Sequence, residues 1–332
     1  MKTKSIFTLL ILSILLSFCN QKKEVNTTEI KPDATLEQLT EIIKKEPKNA
    51  EAYYRRANYL LEKQKLGEAT NDINMAIELD STKAEYFITV ADLHLIINNS
   101  GGCKVALDKS LSLDSNNIKA LLKMSELYMY VKENVQSISY ANRALNKDKT
   151  NANAYFLIGM NQKELQDTMR AMLAFQEALN YKQDFYNANI QLGLLHAARN
   201  NPLALNYYAT AANINPKTPE PHYNKGVFYQ MHNQTAKAMN CYSQALKLQA
   251  TNKGALYNMG LLMMNEEKNY TKAASYFERN MLAQPNFEEG FYQHGVCMEK
   301  MNNKQQAAID FEKALQINKD FAKASEGLKR VK

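Results

Sequence analysis

Five histidines and four cysteines are the side chains of this sequence most able to act as bases, nucleophiles or metal ligands. The histidines are His94, His196, His222, His232 and His294. They form no His-Glu-x-x-His motif and no pair at helical spacing, the arrangements by which a helix holds zinc. His94 and His196 stand at equivalent places of the repeated pattern set out below. We therefore expect these two to be packed and hydrogen-bonded rather than metal ligands.

The other short motifs of the sequence do not indicate a catalytic or cofactor-binding site either. Gly101–Lys104 has two glycines and a lysine, but no Gly-Lys-Ser/Thr follows and no strand is predicted before it, so a turn between two helices explains the glycines. No Gly-x-Ser-x-Gly elbow or dinucleotide fingerprint occurs. Beyond Cys19, the cysteines Cys103, Cys241 and Cys297 are odd in number and occupy different repeat positions, which argues against a disulfide framework. We expect no enzyme, no catalytic residue, no cofactor and no metal.

Composition favours a helical protein with a solvated surface. Among 332 residues there are only 11 glycines and 7 prolines, too few for a turn-rich β fold. The formal charge is +7, and it falls to +5 when residues 1–18, with Lys2 and Lys4, are set aside. Basic residues are interspersed with acidic ones rather than clustered, so we expect no nucleic-acid partner.

The amino terminus predicts export. Lys2 and Lys4 precede an apolar run from Ile6 to Leu16, which is typical of a signal peptide over residues 1–18 and is too short to span a bilayer. Leu16–Cys19 resembles the lipobox of bacterial lipoproteins, although Phe18 departs from the usual small residue. This resemblance implies that Cys19 is lipidated; ordinary cleavage with an unmodified Cys19 is the alternative. The polar residues 19–33 predict a flexible tether.

A pattern of small residues recurs along the rest of the chain. The first small position of each unit is occupied by Ala57, Ala91, Ser125, Gly159, Gly193, Gly226, Gly260 and Gly295. Successive members of this set are 34, 34, 34, 34, 33, 34 and 35 residues apart. The second small position holds Ala69, Cys103, Ser137, Ala171, Ala204, Ala238, Ala273 and Ala307. The two positions are 12 residues apart except in the fifth and seventh units, where the spacings of 11 and 13 place an irregularity between two helices.

Bulky residues complete the pattern. A large side chain stands four residues after the second small position in most units, for example Phe311, and should fill the space between two helices. Asn189 departs from the bulky position before Gly193. Asn280 departs from a third small site, and we expect looser packing between the last two units there.

This pattern resembles the tetratricopeptide repeat, a helix–turn–helix unit of about 34 residues. The resemblance covers residues 50–321 in eight units and implies an all-α, right-handed superhelix, an α-α solenoid extending over residues 34–332. Residues 35–47 repeat only a second helix and should cap one end. Residues 322–332 start a further helix and should cap the other end.

In that family the first helices line a concave groove that holds peptides or proteins. The residues three before each first small position, here called the inner stripe, should face it: Tyr54, Ile88, Leu122, Phe156, Ile190, Tyr223, Tyr257 and Tyr292. Packing between neighbouring units is the alternative explanation of the stripe. Beside it stand Asn224 and Asn258, whose amides could grip a peptide backbone. Asn58 and Met160 occupy a second position of the groove in their repeats. The lysine and asparagine clamp used by some members for acidic tails is not matched.

The sequence thus predicts an interaction scaffold or assembly factor of unidentified partner, held by Cys19 to the outer membrane of a Gram-negative bacterium, on the periplasmic or the outer face. Asn20 after the cysteine favours the outer membrane by resemblance to lipoprotein sorting signals. One alternative is a surface lipoprotein that assists nutrient capture. The other is a regulatory arm of a separate enzyme.

Overall fold

The computed structural model describes residues 30–332, so the predicted signal peptide and Cys19 lie outside the described residues. The described residues contain eighteen helices and no strand. Their contacts divide the chain into two compact units, Met1–Ser115 and Asn116–Lys332, and each is described by itself. The single solenoid over residues 34–332 and its right-handed course stay predictions. In the part of the chain that the structure describes, no helix is long and apolar enough to cross a membrane.

The described part of the first unit holds a single helix followed by two helical hairpins. Its helices are α1 (Leu36–Lys45), α2 (Ala50–Glu62), α3 (Leu66–Leu79), α4 (Ala84–Ile96) and α5 (Ser100–Leu113). Leu39 and Ile43 of α1 are buried against Ala52 of α2, as expected of a cap. The side chain of Ile30 is buried in the same cluster, and its carbonyl accepts a hydrogen bond of 2.8 Å from Arg55. The predicted tether is therefore attached to the fold from Ile30 onward.

The second unit holds six hairpins and a closing helix. Its helices are α6 (Ile118–Tyr130), α7 (Asn134–Lys147), α8 (Ala152–Glu164), α9 (Thr168–Tyr181), α10 (Tyr186–Ala198), α11 (Leu203–Ile214), α12 (Glu220–Met231), α13 (Thr235–Leu248), α14 (Lys253–Asn265), α15 (Tyr270–Ala283), α16 (Glu288–Lys300), α17 (Lys304–Ile317) and α18 (Ala322–Val331). In α18, Ala324 and Val331 are buried in the cluster that contains Phe311. The final helix thus covers the apolar face of the last hairpin, as predicted.

The helix pairs interlock through a ring placed on a glycine. A Cβ built on Gly260 would lie 2.7 Å from the ring of Phe277, and one on Gly295 would lie 2.8 Å from the ring of Phe311. Real Cβ atoms do not approach so closely, so only glycine fits beneath these rings. Gly159, Gly193 and Gly226 meet the rings of Phe175, Tyr208 and Tyr242 in the same way. These contacts confirm the register of the repeat within the second unit.

Each hairpin turns at a residue in the left-handed region that is not glycine. These residues, with φ between 51° and 63°, are Gln64, Asn98, Lys132, Gln166, Asn200, Asn233, Lys268 and Asn302. In the turn after α6, the N–H of Glu133 donates to the carbonyl of Tyr128 at 2.8 Å, the six-residue bond of a Schellman motif. The bond satisfies a carbonyl that the end of the helix would otherwise leave without a partner.

Two irregularities of spacing have different structural outcomes. The extra residue between Gly260 and Ala273 is absorbed by the loop between α14 and α15. The missing residue between Gly193 and Ala204 instead shortens α11, which begins at Leu203 after Pro202 and has 12 residues. The two glycines Gly101 and Gly102 lie in the first turn of α5, so their assignment to the turn itself was wrong by a few residues.

The expected loosening at Asn280 is also corrected. Asn280 is fully buried, and its Nδ2 donates to the carbonyl of Lys253 at 2.9 Å. A Cβ on Gly290 would lie 2.8 Å from Asn280 Oδ1, so the glycine makes room for the larger side chain. Most other units have alanine at the place of Gly290, for example Ala120 and Ala255. One large and one small change compensate, and the packing stays close.

Candidate functional site

The inner stripe of the second unit has half-buried rings on four first helices, α8, α12, α14 and α16. On α10, between the first two of these, the stripe residue Ile190 is buried, so it does not face the predicted groove. Phe156, Tyr223, Tyr257 and Tyr292 each lie against the ring of their own second helix. The ring centroids are 5.5 Å apart for Phe156 and Phe175, 6.0 Å for Tyr223 and Tyr242, 5.9 Å for Tyr257 and Phe277, and 5.8 Å for Tyr292 and Phe311. These contacts hold the rings in place, so much of the stripe packs the repeats together. The rings keep part of their surface accessible.

Tyr54 of the first unit is half-buried too, and it packs on Tyr86 at 4.8 Å. The side chain of Asn58 forms hydrogen bonds with residues of α2 and α4. Its Nδ2 donates to the carbonyl of Tyr54 at 2.9 Å, and its Oδ1 accepts from the Thr89 hydroxyl at 3.0 Å. This residue of the predicted groove therefore links two neighbouring repeats.

Asn258 is engaged in a similar way in the second unit. Its Nδ2 donates to the Tyr242 hydroxyl at 3.1 Å, and that hydroxyl donates to Gln230 Oε1 at 2.6 Å. Met160 packs against the core cluster around Phe175, and Asn224 is half-buried on α12. The binding roles of these residues stay predictions, but the structure gives Asn58 and Asn258 a packing role of their own.

Burial raises the pKa of two phenols of the stripe. Burial, and secondly the charge of Glu289, raises the pKa of Tyr257. Burial, and secondly the charge of Glu85, raises the pKa of Tyr54. Phenols with raised pKa values donate hydrogen bonds but do not act as bases near neutral pH. The stripe therefore offers apolar ring surface with hydroxyl groups rather than charge.

The histidines and cysteines are mostly packed. His94 Nδ1 lies 3.3 Å from the Asn99 amide, and His196 stacks on Tyr207 with ring centroids 5.2 Å apart. Burial, and secondly Arg199, lowers the pKa of His196. The three described cysteines are buried, and burial raises the pKa of the Cys297 thiol to about 12, which leaves it unreactive. Within residues 30–332 no cluster of three or more His, Cys, Asp or Glu is placed to hold a metal.

Sequence reasoning missed one polar pair in each terminal repeat, and each pair includes a buried carboxylate, Asp72 or Asp310. His294 Nδ1 and Asp310 Oδ2 lie 2.7 Å apart, and both side chains are buried. Arg56 holds Asp72 by two bonds, Nε to Oδ2 at 2.6 Å and Nη2 to Oδ1 at 2.8 Å. The repeated pattern of the sequence could have revealed both pairs, because they occupy the same two positions of their repeats. Both pairs join the residue before the first small position to the residue three after the second, where intervening repeats have residues such as Met124 and Tyr140.

Stacked two-helix units of constant length define an α-α solenoid repeat protein. A family model described as tetratricopeptide repeat matches residues 219–252 and 289–321, which are the sixth and eighth units of the alignment. The structure repeats the same hairpin in the other units, and the ring-on-glycine contact recurs in the fourth, fifth and seventh units. The sixth and eighth units therefore match the tetratricopeptide repeat, and the remaining units share their helical-hairpin architecture.

Known proteins with which the chain shares this architecture differ from it widely in sequence. It resembles a chain of the APC/C hetero-tetramer Cut9–Hcn1 with a TM-score of 0.54 and 16% identity, over 89% of this chain and 58% of that one. It resembles a tetratricopeptide repeat protein from Parabacteroides merdae ATCC 43184 with a TM-score of 0.52 and 14% identity, over 75% of this chain and 98% of that one. At these identities the likeness concerns the fold.

One curated relative matches in sequence. The photosystem I assembly protein Ycf3 of Acaryochloris marina (strain MBIC 11017) is 28% identical over 96 residues, which are 28% of this chain. The match spans 57% of that protein, little more than half its length.

Proposed function

We propose that this protein is a non-enzymatic scaffold or assembly factor that holds a peptide or protein segment along the inner stripe of its first helices. One observation carries the proposal: Phe156, Tyr223, Tyr257 and Tyr292 present half-buried rings at the same place of four repeats in the second unit. Aligned rings offer an apolar floor of fixed geometry at little entropic cost, as peptide-binding surfaces do. The relative named as an assembly protein agrees with such a role.

We further propose that the scaffold works in the cell envelope, anchored to the outer membrane through lipidated Cys19. The charged and apolar segments before Cys19 support this, and so does the resemblance of Leu16–Cys19 to a lipobox. The polar residues after Cys19 supply the proposed tether between the anchor and the scaffold.

The stripe is tested by replacing its rings. Tyr223→Ala combined with Tyr257→Ala should lose the partner that crosslinks to the native protein in envelope preparations, because two adjoining parts of the floor are removed. Far-UV circular dichroism should show the native helix content. The matched control is Met169→Ala with Leu173→Ala, which removes two side chains of α9 that are 56% and 62% exposed. Partner recovery by the tyrosine variant equal to that of this control would place the interface elsewhere.

The anchor is tested at Cys19. Cys19→Ser should abolish metabolic labelling by a radioactive fatty acid and move the protein from the membrane fraction to the soluble fraction, since a diacyl group is what holds it there. Cys103→Ser, which changes a buried cysteine of α5, is the control and should leave the labelling intact. A Cys19→Ser protein that still sediments with membranes and still carries the label would refute the anchor.

A further inference from the structure

Tyr223 differs from the other rings of the inner stripe in what covers it. Three of them pack on a phenylalanine at the N-cap of the next helix: Phe156 on Phe185 at 5.0 Å, Tyr257 on Phe287 at 5.3 Å and Tyr292 on Phe321 at 5.3 Å between ring centroids. Across the residues that the structure describes, the ring of Tyr223 contacts one other aromatic ring, that of Tyr242 in its own hairpin.

The residue at the corresponding N-cap is Asn252. Its Oδ1 accepts a hydrogen bond of 3.0 Å from the N–H of Ala255, so the side chain is directed to the start of α14 rather than over the ring. Two residues later stands Gly254, where a Cβ would lie 2.6 Å from the ring of Tyr223. The equivalent positions of the sixth and eighth repeats carry Glu220 and Glu289. On one side of Tyr223, Asn252 thus stands where α10, α16 and α18 have phenylalanine, and Gly254 stands where the sixth and eighth repeats have glutamate.

A cavity of about 520 Å³ lies at this place. Tyr223, Asn252 and Gly254 line it, and Glu220 and Lys253 stand at its edge. Where three other repeats bury a phenyl ring, this repeat has open space against a tyrosine ring. The other repeats therefore indicate that the space accommodates a phenyl ring.

The lining of the cavity carries one carboxylate, that of Glu220, and one ammonium group, that of Lys253. Glu220 is exposed, and its Oε2 accepts a hydrogen bond of 2.9 Å from the hydroxyl of Tyr186. No lysine, arginine or histidine forms an ion pair with Glu220 in residues 30–332. A carboxylate that is oriented but lacks a cation complements a basic side chain of a ligand.

We propose that this cavity binds the phenylalanine ring of a partner segment, with a lysine or arginine next to that phenylalanine pairing with Glu220. The ligand's ring takes on Tyr223 the place that Phe185, Phe287 and Phe321 take on their own neighbours. This inference rests on the proposed function and adds to it the chemistry of the partner.

The test uses three synthetic hexapeptides with capped ends, Ser-Ser-Lys-Phe-Ser-Ser and the same peptide with Lys-Leu or Glu-Phe at its centre. Each is titrated to millimolar concentration against the full chain carrying ring-labelled tyrosine, and the Tyr223 signal is followed by NMR. The Lys-Phe peptide should shift that signal with an affinity about tenfold higher than either of the others, the gain that one aromatic pair or one charge pair provides.

The decisive variant is Asn252→Phe, which supplies the missing ring from within the chain. It should fold, because phenylalanine already occupies this N-cap before α10, α16 and α18, and it should lose binding of the Lys-Phe peptide at least tenfold. The matched control is Asn151→Phe at the N-cap of α8, which should bind as the native chain does.

Equal binding by Asn252→Phe and the native chain, equal affinity for the three peptides, or no shift of Tyr223 with any of them would overturn the inference. The proposed function is decided separately by partner recovery from envelopes. A partner that is retained by Asn252→Phe but lost with Tyr223→Ala and Tyr257→Ala would leave the scaffold standing and reject the cavity. A partner lost with neither variant would reject the groove itself.

Discussion

At the scale of single residues, the size of the first small position follows the size of the side chain that faces it. Glycine stands there in five repeats, and in each of them the facing residue is phenylalanine or tyrosine. In the first two repeats the pairs are Ala57 with Ile73 and Ala91 with Leu107, an alanine against an aliphatic side chain. A planar ring needs the extra space of a missing methyl group, whereas a branched chain does not.

This complementarity predicts a strong coupling between Gly260 and Phe277. Gly260→Ala should lower the free energy of unfolding by about 1–3 kcal/mol through overpacking. Phe277→Leu should lower it by about 1–2 kcal/mol through lost contacts. The double variant reproduces the alanine and leucine pair of the second repeat, so it should be more stable than the sum of the two losses by at least about 1 kcal/mol. Urea denaturation of the four proteins gives the coupling, and strict additivity would contradict the ring-on-glycine account.

The sequence was sufficient to predict this register, because small residues recur at intervals of 33 to 35 residues from Ala57 to Gly295. It was not sufficient to predict what each polar group does. Asn258 was expected to face a ligand, yet its amide donates to the Tyr242 hydroxyl of the preceding repeat. Asn280 was expected to loosen a contact, yet its amide donates to the Lys253 carbonyl within its own hairpin. No periodicity specifies either bond. The cavity at Asn252 could not be predicted either. It exists because the N-cap residue of α14 is an asparagine bonded to its own helix, whereas the N-cap residues of α10, α16 and α18 are phenylalanines that cover the ring of the preceding first helix.

At the scale of elements, the turns of the hairpins are unusual in the residue that adopts the left-handed conformation. A left-handed residue closes each turn, but glycine, the residue best suited to that conformation, is used at none of the eight. The Schellman bonds and the packing of the two helices hold the turns in spite of the local strain. Substitution of these residues by glycine should therefore raise the free energy of unfolding.

Lys132 allows a direct test, with φ of 63°. Lys132→Gly should raise the free energy of unfolding by about 0.5–1 kcal/mol, because relief of the left-handed strain exceeds the added entropy of the unfolded chain. Asn302→Gly, at φ of 63° in the last hairpin, should gain less, since asparagine tolerates this region better than lysine. Thermal or urea unfolding measures both. A destabilised Lys132→Gly protein would show that the lysine side chain itself supports the turn.

At the scale of the whole molecule, we propose that the protein joins a repeat body to an attachment at its amino terminus. The body presents rings at equivalent places of four first helices in the second unit, and the chain before Ile30 carries the predicted anchor. Repeat units depend on their neighbours for stability, so a segment that lies along several of them gains contacts from each. A scaffold of this kind binds by the sum of modest contacts rather than by one reactive centre.

Site-specific photo-crosslinking in intact envelopes tests this claim most directly. A benzophenone amino acid is placed at position 223 of the inner stripe and, in a second protein, at position 173 on α9, where Leu173 is 62% exposed. The account predicts a discrete crosslinked protein from position 223 that is absent from position 173. Crosslinks from position 173 alone, or identical products from both positions, would contradict it.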